Sequence, residues 1–255
     1  MNRYLNKSEI FWLKYYIGDV GGSDVFFGDP EAYLVLNSLF YDGIFTEISR
    51  SAEGKHLNPH ILDDVDRLLD FYDNLFSAFW KCRAEKPLRT YRVERMNDYI
   101  PIKNHGCTIS FTSTSENGFL DSYRDRRGIA LMKFEIAENI PCIDMEKNLD
   151  FYAKKYESEI LLPPFMPLDI SENHLTDYEK NITDSDGKSP EISSLAVCGD
   201  WILKKDRTEN ISREGSECGK LVYQALNNGE MPENRLIEIF VEWKKTLQNI
   251  YQKLL

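Results

Sequence analysis

Apolar positions along this chain keep one rhythm early and another later. In the first third they recur at three and four. Asp29-Pro30-Glu31 is a helix start, with Asp as N-cap and Pro at the first helical position. The helix it opens runs through AYLVLNSLFYD and stops at Gly43, a residue suited to the left-handed C′ position. Asn58-Pro59 repeats the start signal. Behind it Ile61, Leu62, Val65, Leu68, Leu69, Tyr72, Leu75, Phe76 and Phe79 predict a long amphipathic helix ending near Cys82, ahead of Pro87. From residue 88 the texture changes. LRTYRVER, TISFTSTS, IALMKFEIA and EILLPPFMPLDI are short runs rich in β-branched and aromatic residues, separated by polar breaks.

Helices first and strands after, without β–α–β alternation, predict an α+β fold with an antiparallel or mixed sheet. The expected parts are an N-terminal helical region over 1–87, a β-rich core over 88–205 and a C-terminal helical extension over 206–255. Residues 171–192 are polar and read as a surface insertion, followed by a strand in SLAVCGDWILKK. A shorter helix is expected near 216–227 and a last one opening at Pro232. In the last, Leu236, Phe240, Trp243, Leu247, Ile250 and Leu254 step 4, 3, 4, 3, 4 and form one apolar stripe. That stripe fits packing on the chain's own domain or docking of a partner.

Composition narrows the classes. At 255 residues, 42% hydrophobic and 13% aromatic, the chain can bury a core without disulfides or metals. A net charge of −11 argues against a purely electrostatic grip on nucleic acid. The five cysteines are isolated in sequence and odd in number, so reduced thiols and a cytoplasmic protein are expected. The N-terminal MNRYLNKSEIFWLKYY lacks the pattern of a secretory signal, and no long apolar run predicts a membrane span. Export by a route without such a signal stays open.

Three pieces of the strand region carry polar groups where a core is expected: Thr90-Tyr91-Arg92-Val93, Phe111-Thr112-Ser113-Thr114-Ser115, and Glu157-Ser158-Glu159 leading into Ile160-Leu161-Leu162-Pro163. Singly, each reads as an edge arginine, a wet strand face or solvated acids. In this order and spacing they resemble the mono-ADP-ribosyltransferases of the Arg-Ser-Glu class, the family of clostridial-type toxin enzymes and arginine-modifying enzymes. Leu13-Lys14-Tyr15-Tyr16 and Tyr33–Leu39 resemble that family's helical preface. The resemblance covers roughly residues 10–170, and the last 85 residues match nothing in it.

The resemblance implies an ADP-ribosyltransferase-like fold: two packed, mostly antiparallel sheets with an N-terminal helical region and C-terminal helices. It also implies a chemistry. NAD+ is the co-substrate, and no metal is needed. Tyr91, Arg92, Ser113, Thr114, Ser115, Phe119 and Glu159 are the expected NAD+-binding residues. An arginine can fork two N–H groups onto the diphosphate. Breaking the nicotinamide–ribose bond develops oxocarbenium character, which a carboxylate stabilises where it forms. The family pattern gives that task to Glu159, hydrogen-bonded to the ribose 2′-hydroxyl and oriented by Ser113. On an extended backbone Glu157 and Glu159 share a face. Glu157 is then the group that meets the acceptor, and a glutamate there goes with arginine acceptors in the family. Residues 144–156 fall where the family carries a target-recognition loop, with Tyr152 and Tyr156 as its expected contacts. Phe119 stands where a ring could stack on nicotinamide. One departure is Val93, where many relatives have Gly.

Other signals are weak. Gly215–Leu221 echoes a phosphate loop but is one residue short and ends in Leu rather than Ser or Thr. His56 and His60 flank Pro59, and Asp184–Gly187 is a fragment of a calcium loop without its remaining ligands. The leading expectation is a toxin or effector, bacterial or phage, that transfers ADP-ribose to a protein arginine. The alternatives are an intracellular toxin acting on RNA or another nucleic acid, and an inactive module that binds NAD+ or a partner. An endogenous toxin implies a neutralising protein, which the C-terminal helix could hold.

Overall fold

The computed structural model describes residues 4–17, 37, 40, 65–117, 128–149, 158–172, 176, 181–183, 185–201, 203, 205–228 and 233–253. The chain divides into two compact units. One joins Met1–Ala78 with Leu203–Lys253; the other is Phe79–Ile202 with Leu254–Leu255. The helical segments on either side of the β-rich region thus belong to one unit. The helix expected from Asp29-Pro30 lies outside the described residues except for Asn37 and Phe40.

The helical unit contains α1 (Lys7–Ile17), most of α2 (Val65–Lys81), α5 (Lys205–Asn228) and α6 (Glu233–Tyr251). Helix α1 opens on a reciprocal cap. The Glu9 N–H donates to Asn6 Oδ1 at 2.9 Å, and the Asn6 N–H donates to the Glu9 carboxylate at 2.8 Å. The other oxygen of Glu9, which is fully buried, accepts from the Ser77 hydroxyl at 2.6 Å and so ties α1 to α2. Leu68, Phe71, Tyr72, Leu75 and Phe76 form the buried stripe of α2. Phe71 meets Trp12 edge-on and stacks on Tyr16. Trp243, Leu247 and Ile250 of the C-terminal stripe are buried, and Trp243 packs on Phe40. These three residues therefore serve the chain's own core; outward, α6 offers Val241, Glu242, Lys244 and Lys245.

Helix α5 spans 24 residues and starts eleven before the expected position. It swallows the Gly215–Leu221 segment whole, so that segment is helix and not a phosphate loop. Glycine inside a helix costs about 1 kcal/mol relative to alanine. Here space explains it: a Cβ on Gly215 would stand 3.3 Å from the Trp243 ring.

The second unit is built on a mixed sheet whose seven described strands are β1 (Leu88–Arg95), β2 (Thr112–Ser115), β3 (Ile129–Ile136), β4 (Ile143–Asp144), β5 (Glu159–Leu162), β6 (Asp169–Glu172) and β7 (Glu191–Val197). Their order is β4-β5-β2-β1-β3-β7-β6, and all neighbours are antiparallel except β3 and β7. The α+β class is as expected. Where two packed sheets were expected, one hydrogen-bonded sheet links all the described strands.

Other differences have local causes. EILLPPFMPLDI makes two strands rather than one, because Pro163 and Pro164 have no N–H for a ladder. The bend between them is held by Thr108. Its hydroxyl donates to the Pro163 carbonyl at 2.6 Å and accepts from the Met166 N–H at 2.8 Å. Phe165, fully buried, takes a left-handed φ of 60° in that bend. Helix α3 (Met96–His105) was not expected, since it is polar and contains Pro101. It closes on Gly106 at φ 61°, and Tyr99 and Ile102 bury its inner face. A single turn, α4 (Met145–Asn148), follows β4 and is capped by Asp144, which accepts from the Lys147 N–H. The 171–192 insertion is less superficial than its polarity implies. Ser171 and Glu172 end β6, Glu191 begins β7, and Ile182 is buried against Val93, Ile129 and Leu131.

Candidate functional site

The site is assembled at the middle of the sheet, wholly within the second unit. Strand β2 runs between β1 and β5 and brings the three motifs side by side. Ser115 stands directly opposite Glu159, and Tyr91 stands opposite Ser115 on the other side. Directly opposed residues of a ladder project to the same face. The row continues through Lys133 of β3, Ser194 of β7 and Ser171 of β6. Its members are about 4.8 Å apart from strand to strand. A carboxylate, hydroxyls, a phenol and an ammonium thus cross one face of the sheet in line. Glu159 is 5% exposed and Lys133 6%.

Ser113 lies on the same face, opposite Leu161. It is the diagonal neighbour of Glu159, within reach of a long side chain. Ser115, not Ser113, is the residue facing Glu159 directly. Thr114 points to the other face, where it is buried and its hydroxyl donates to the Ile160 carbonyl at 2.8 Å. That bond fastens β2 to β5 from behind and accounts for a threonine between two serines.

Arg92 follows Tyr91 and so projects to the face opposite Glu159. Its Nη1 donates to the Ser113 carbonyl at 2.7 Å, and its Nε donates to Glu94. Glu94 is nearly buried and also ion-pairs with the guanidinium. The arginine is therefore a brace between β1 and β2. Glu94 was missed in the sequence, although two residues apart on a strand means one face. Val93, the expected point of departure from the resemblance, is a core residue with Ile129, Leu131 and Ile182, and Tyr91 packs against the same cluster.

Glu159 is the first residue of β5, and Ser158 before it is left-handed, with φ 43°. The expectation that Glu157 and Glu159 share a face requires extended backbone at Ser158. That premise fails, so alternation no longer assigns a direction to Glu157. Asn117 also escaped the sequence reading; its signal is the turn dipeptide Asn117-Gly118. Its Nδ2 donates to Ser158 Oγ at 3.0 Å. Glu157, Tyr152, Tyr156 and Phe119 lie outside the described residues.

Nucleophilic thiols are poor candidates here. Burial pushes Cys107, Cys142 and Cys218 up to about 12. Among the described residues no group of three or more His, Cys, Asp or Glu could hold a metal, and no helix is long and apolar enough to cross a membrane.

No protein-family model matches this chain, and no curated protein matches it either. Solved structures do. An ADP-ribosyltransferase from Clostridium botulinum is similar over 76% of this chain and 87% of its own, at 12% identity and a TM-score of 0.43. The Clostridium limosum C3 exoenzyme is similar over 77% and 88%, at 15% identity and a TM-score of 0.44. An ADP-ribosylating toxin of a C. perfringens binary enterotoxin, solved with NADH, is similar over 76% of this chain and 44% of its own, at 16% identity and a TM-score of 0.45. With TM-scores below one half, these are likenesses of outline to ADP-ribosyltransferases.

Proposed function

We infer that this chain is an NAD+-dependent mono-ADP-ribosyltransferase, releasing nicotinamide and transferring ADP-ribose to a macromolecular acceptor, with a protein arginine as the favoured one. The observation that carries the reading is the row across β5, β2 and β1, in which Glu159 faces Ser115 and Ser115 faces Tyr91. A carboxylate mounted on a fully buried Ile160-Leu161-Leu162 segment is rigid. Rigid negative charge stabilises an oxocarbenium-like ribose without reorganising at the moment of reaction. The Glu159 carboxylate would also accept from the ribose 2′-hydroxyl, with Ser115 beside it and Ser113 diagonal to it. Arg92, on the opposite face of the sheet, fixes the backbone of Ser113 and pairs with Glu94, so in this reading it braces the row from behind and the expected grip on the diphosphate is not assigned to it.

In the transfer, the ribose C1′–nicotinamide nitrogen bond breaks and its electron pair leaves with nicotinamide. A bond then forms from C1′ to the acceptor atom, which loses a proton. Glu157 is the proposed group for that proton, and Tyr152 and Tyr156 the proposed acceptor contacts. The test is incubation with NAD+ labelled in its adenylate half and a cell lysate. Label on macromolecules that protease removes and RNase does not, and that Glu159→Ala abolishes, is the expected result. Label removed by RNase alone would move the acceptor to RNA. A Glu159→Ala protein as active as the wild type would overturn the role of the carboxylate.

A further inference from the structure

Glu159 occupies the terminal rung of the β2–β5 ladder. It is the first residue of β5 and pairs with Ser115, the last of β2. The ladder orients it from one side only. On the other side its direction depends on Ser158, whose φ of 43° is unfavourable for any residue with a Cβ. Such a conformation persists only where neighbours hold it. Two bonds do so. The Glu116 N–H donates to the Ser158 carbonyl at 3.2 Å, and the Asn117 side-chain amide donates to Ser158 Oγ at 3.0 Å. The Asn117 backbone N–H in turn donates to Ser115 Oγ at 3.2 Å. Asn117 therefore touches both members of the Ser115–Glu159 rung, one directly and one through the residue before it.

We propose that Asn117 is a positioning residue for Glu159: it clasps Ser158 in its left-handed conformation and so aims the carboxylate across from Ser115. This rests on the ADP-ribosyl transfer reading and deepens it. The clasp is an exposed hydrogen bond, so it contributes little to global stability. Its effect falls on geometry instead, and misplacing a catalytic group by about 1 Å costs up to about a hundredfold in rate.

The experiment is a double-mutant cycle on nicotinamide release, with melting temperature and backbone amide exchange recorded for each protein. Asn117→Ala and Ser158→Ala are each expected to lower kcat about tenfold, with KM for NAD+ within about twofold of wild type and melting unchanged. Because both remove one interaction, the double variant is expected to be no slower than either single one. Ser158→Gly in the Asn117→Ala background should recover part of kcat, since glycine adopts positive φ without a clasp. Wild-type kcat in Asn117→Ala would overturn the proposal, as would losses that multiply in the double variant. A wild-type protein that releases no nicotinamide would instead sink the parent reading. The clasp is then judged by exchange at the Glu159 and Ile160 amides, which must quicken in Asn117→Ala if Asn117 holds this rung.

Discussion

Thr90 shows how closely the polar groups of β1 are assigned. Its side chain is fully buried, and its hydroxyl has no hydrogen-bond partner among the described residues. A buried, unmatched hydroxyl is a cost, and removing it without changing shape is neutral or stabilising. Thr90→Val is therefore expected to raise stability by up to about 1 kcal/mol in urea unfolding, without altering the Arg92–Glu94 pair two residues on. A loss above about 1 kcal/mol would mean that the hydroxyl has a partner after all. Its neighbours are committed differently. Arg92 is bound to Glu94 and the Ser113 carbonyl, while Tyr91 and Val93 pack on Ile129 and Leu131. Alternation along one strand separates a brace on one face from a site row on the other.

Among the elements, α2 and α5 carry a testable charge. Partial desolvation between the helices raises the carboxyl of Asp73, a residue still largely exposed, above its ordinary value; a hydrogen bond with Ser212 opposes the shift, and the Glu209 and Asp70 carboxylates add to it. A carboxyl raised on folding gives stability that is complete below its unfolded value and lost as pH rises through the folded one. Asp73→Asn is thus expected to melt higher than wild type at neutral pH, with the difference closing on acidification below the carboxylate range. An equal difference at all pH values would contradict the linkage. The elements also mark what was readable. β1 and β3 stand out because β-branched and aromatic residues fill them, and their limits match the expected runs closely. α3 was hidden because Pro101 and a polar sequence obscure helical periodicity. The left-handed turn at Ser158 was invisible, since Ser158 is neither Gly nor Asn and its conformation is set by Asn117 across the ladder. The motif residues were visible, whereas the parity that sends Arg92 away from Glu159 needed the register.

At the scale of the molecule, four of the five thiols belong to the core. Cys107, Cys142 and Cys218 are buried with their thiols at about 12, Cys82 is buried, and Cys198 is exposed. Iodoacetamide at neutral pH, followed by mass spectrometry, is expected to label Cys198 quickly and the other four only on unfolding. Rapid labelling of Cys107 would contradict its full burial beside the backbone bridge it makes to Pro167. The central claim is that Glu159 acts in the transition state and not in holding the co-substrate. Nicotinamide release and NAD+ binding, measured side by side for wild type and Glu159→Gln, test it most directly. The predicted result is release lowered by at least about a hundredfold with NAD+ affinity within a few-fold of wild type. A folded Glu159→Gln protein that releases nicotinamide at the wild-type rate would contradict it.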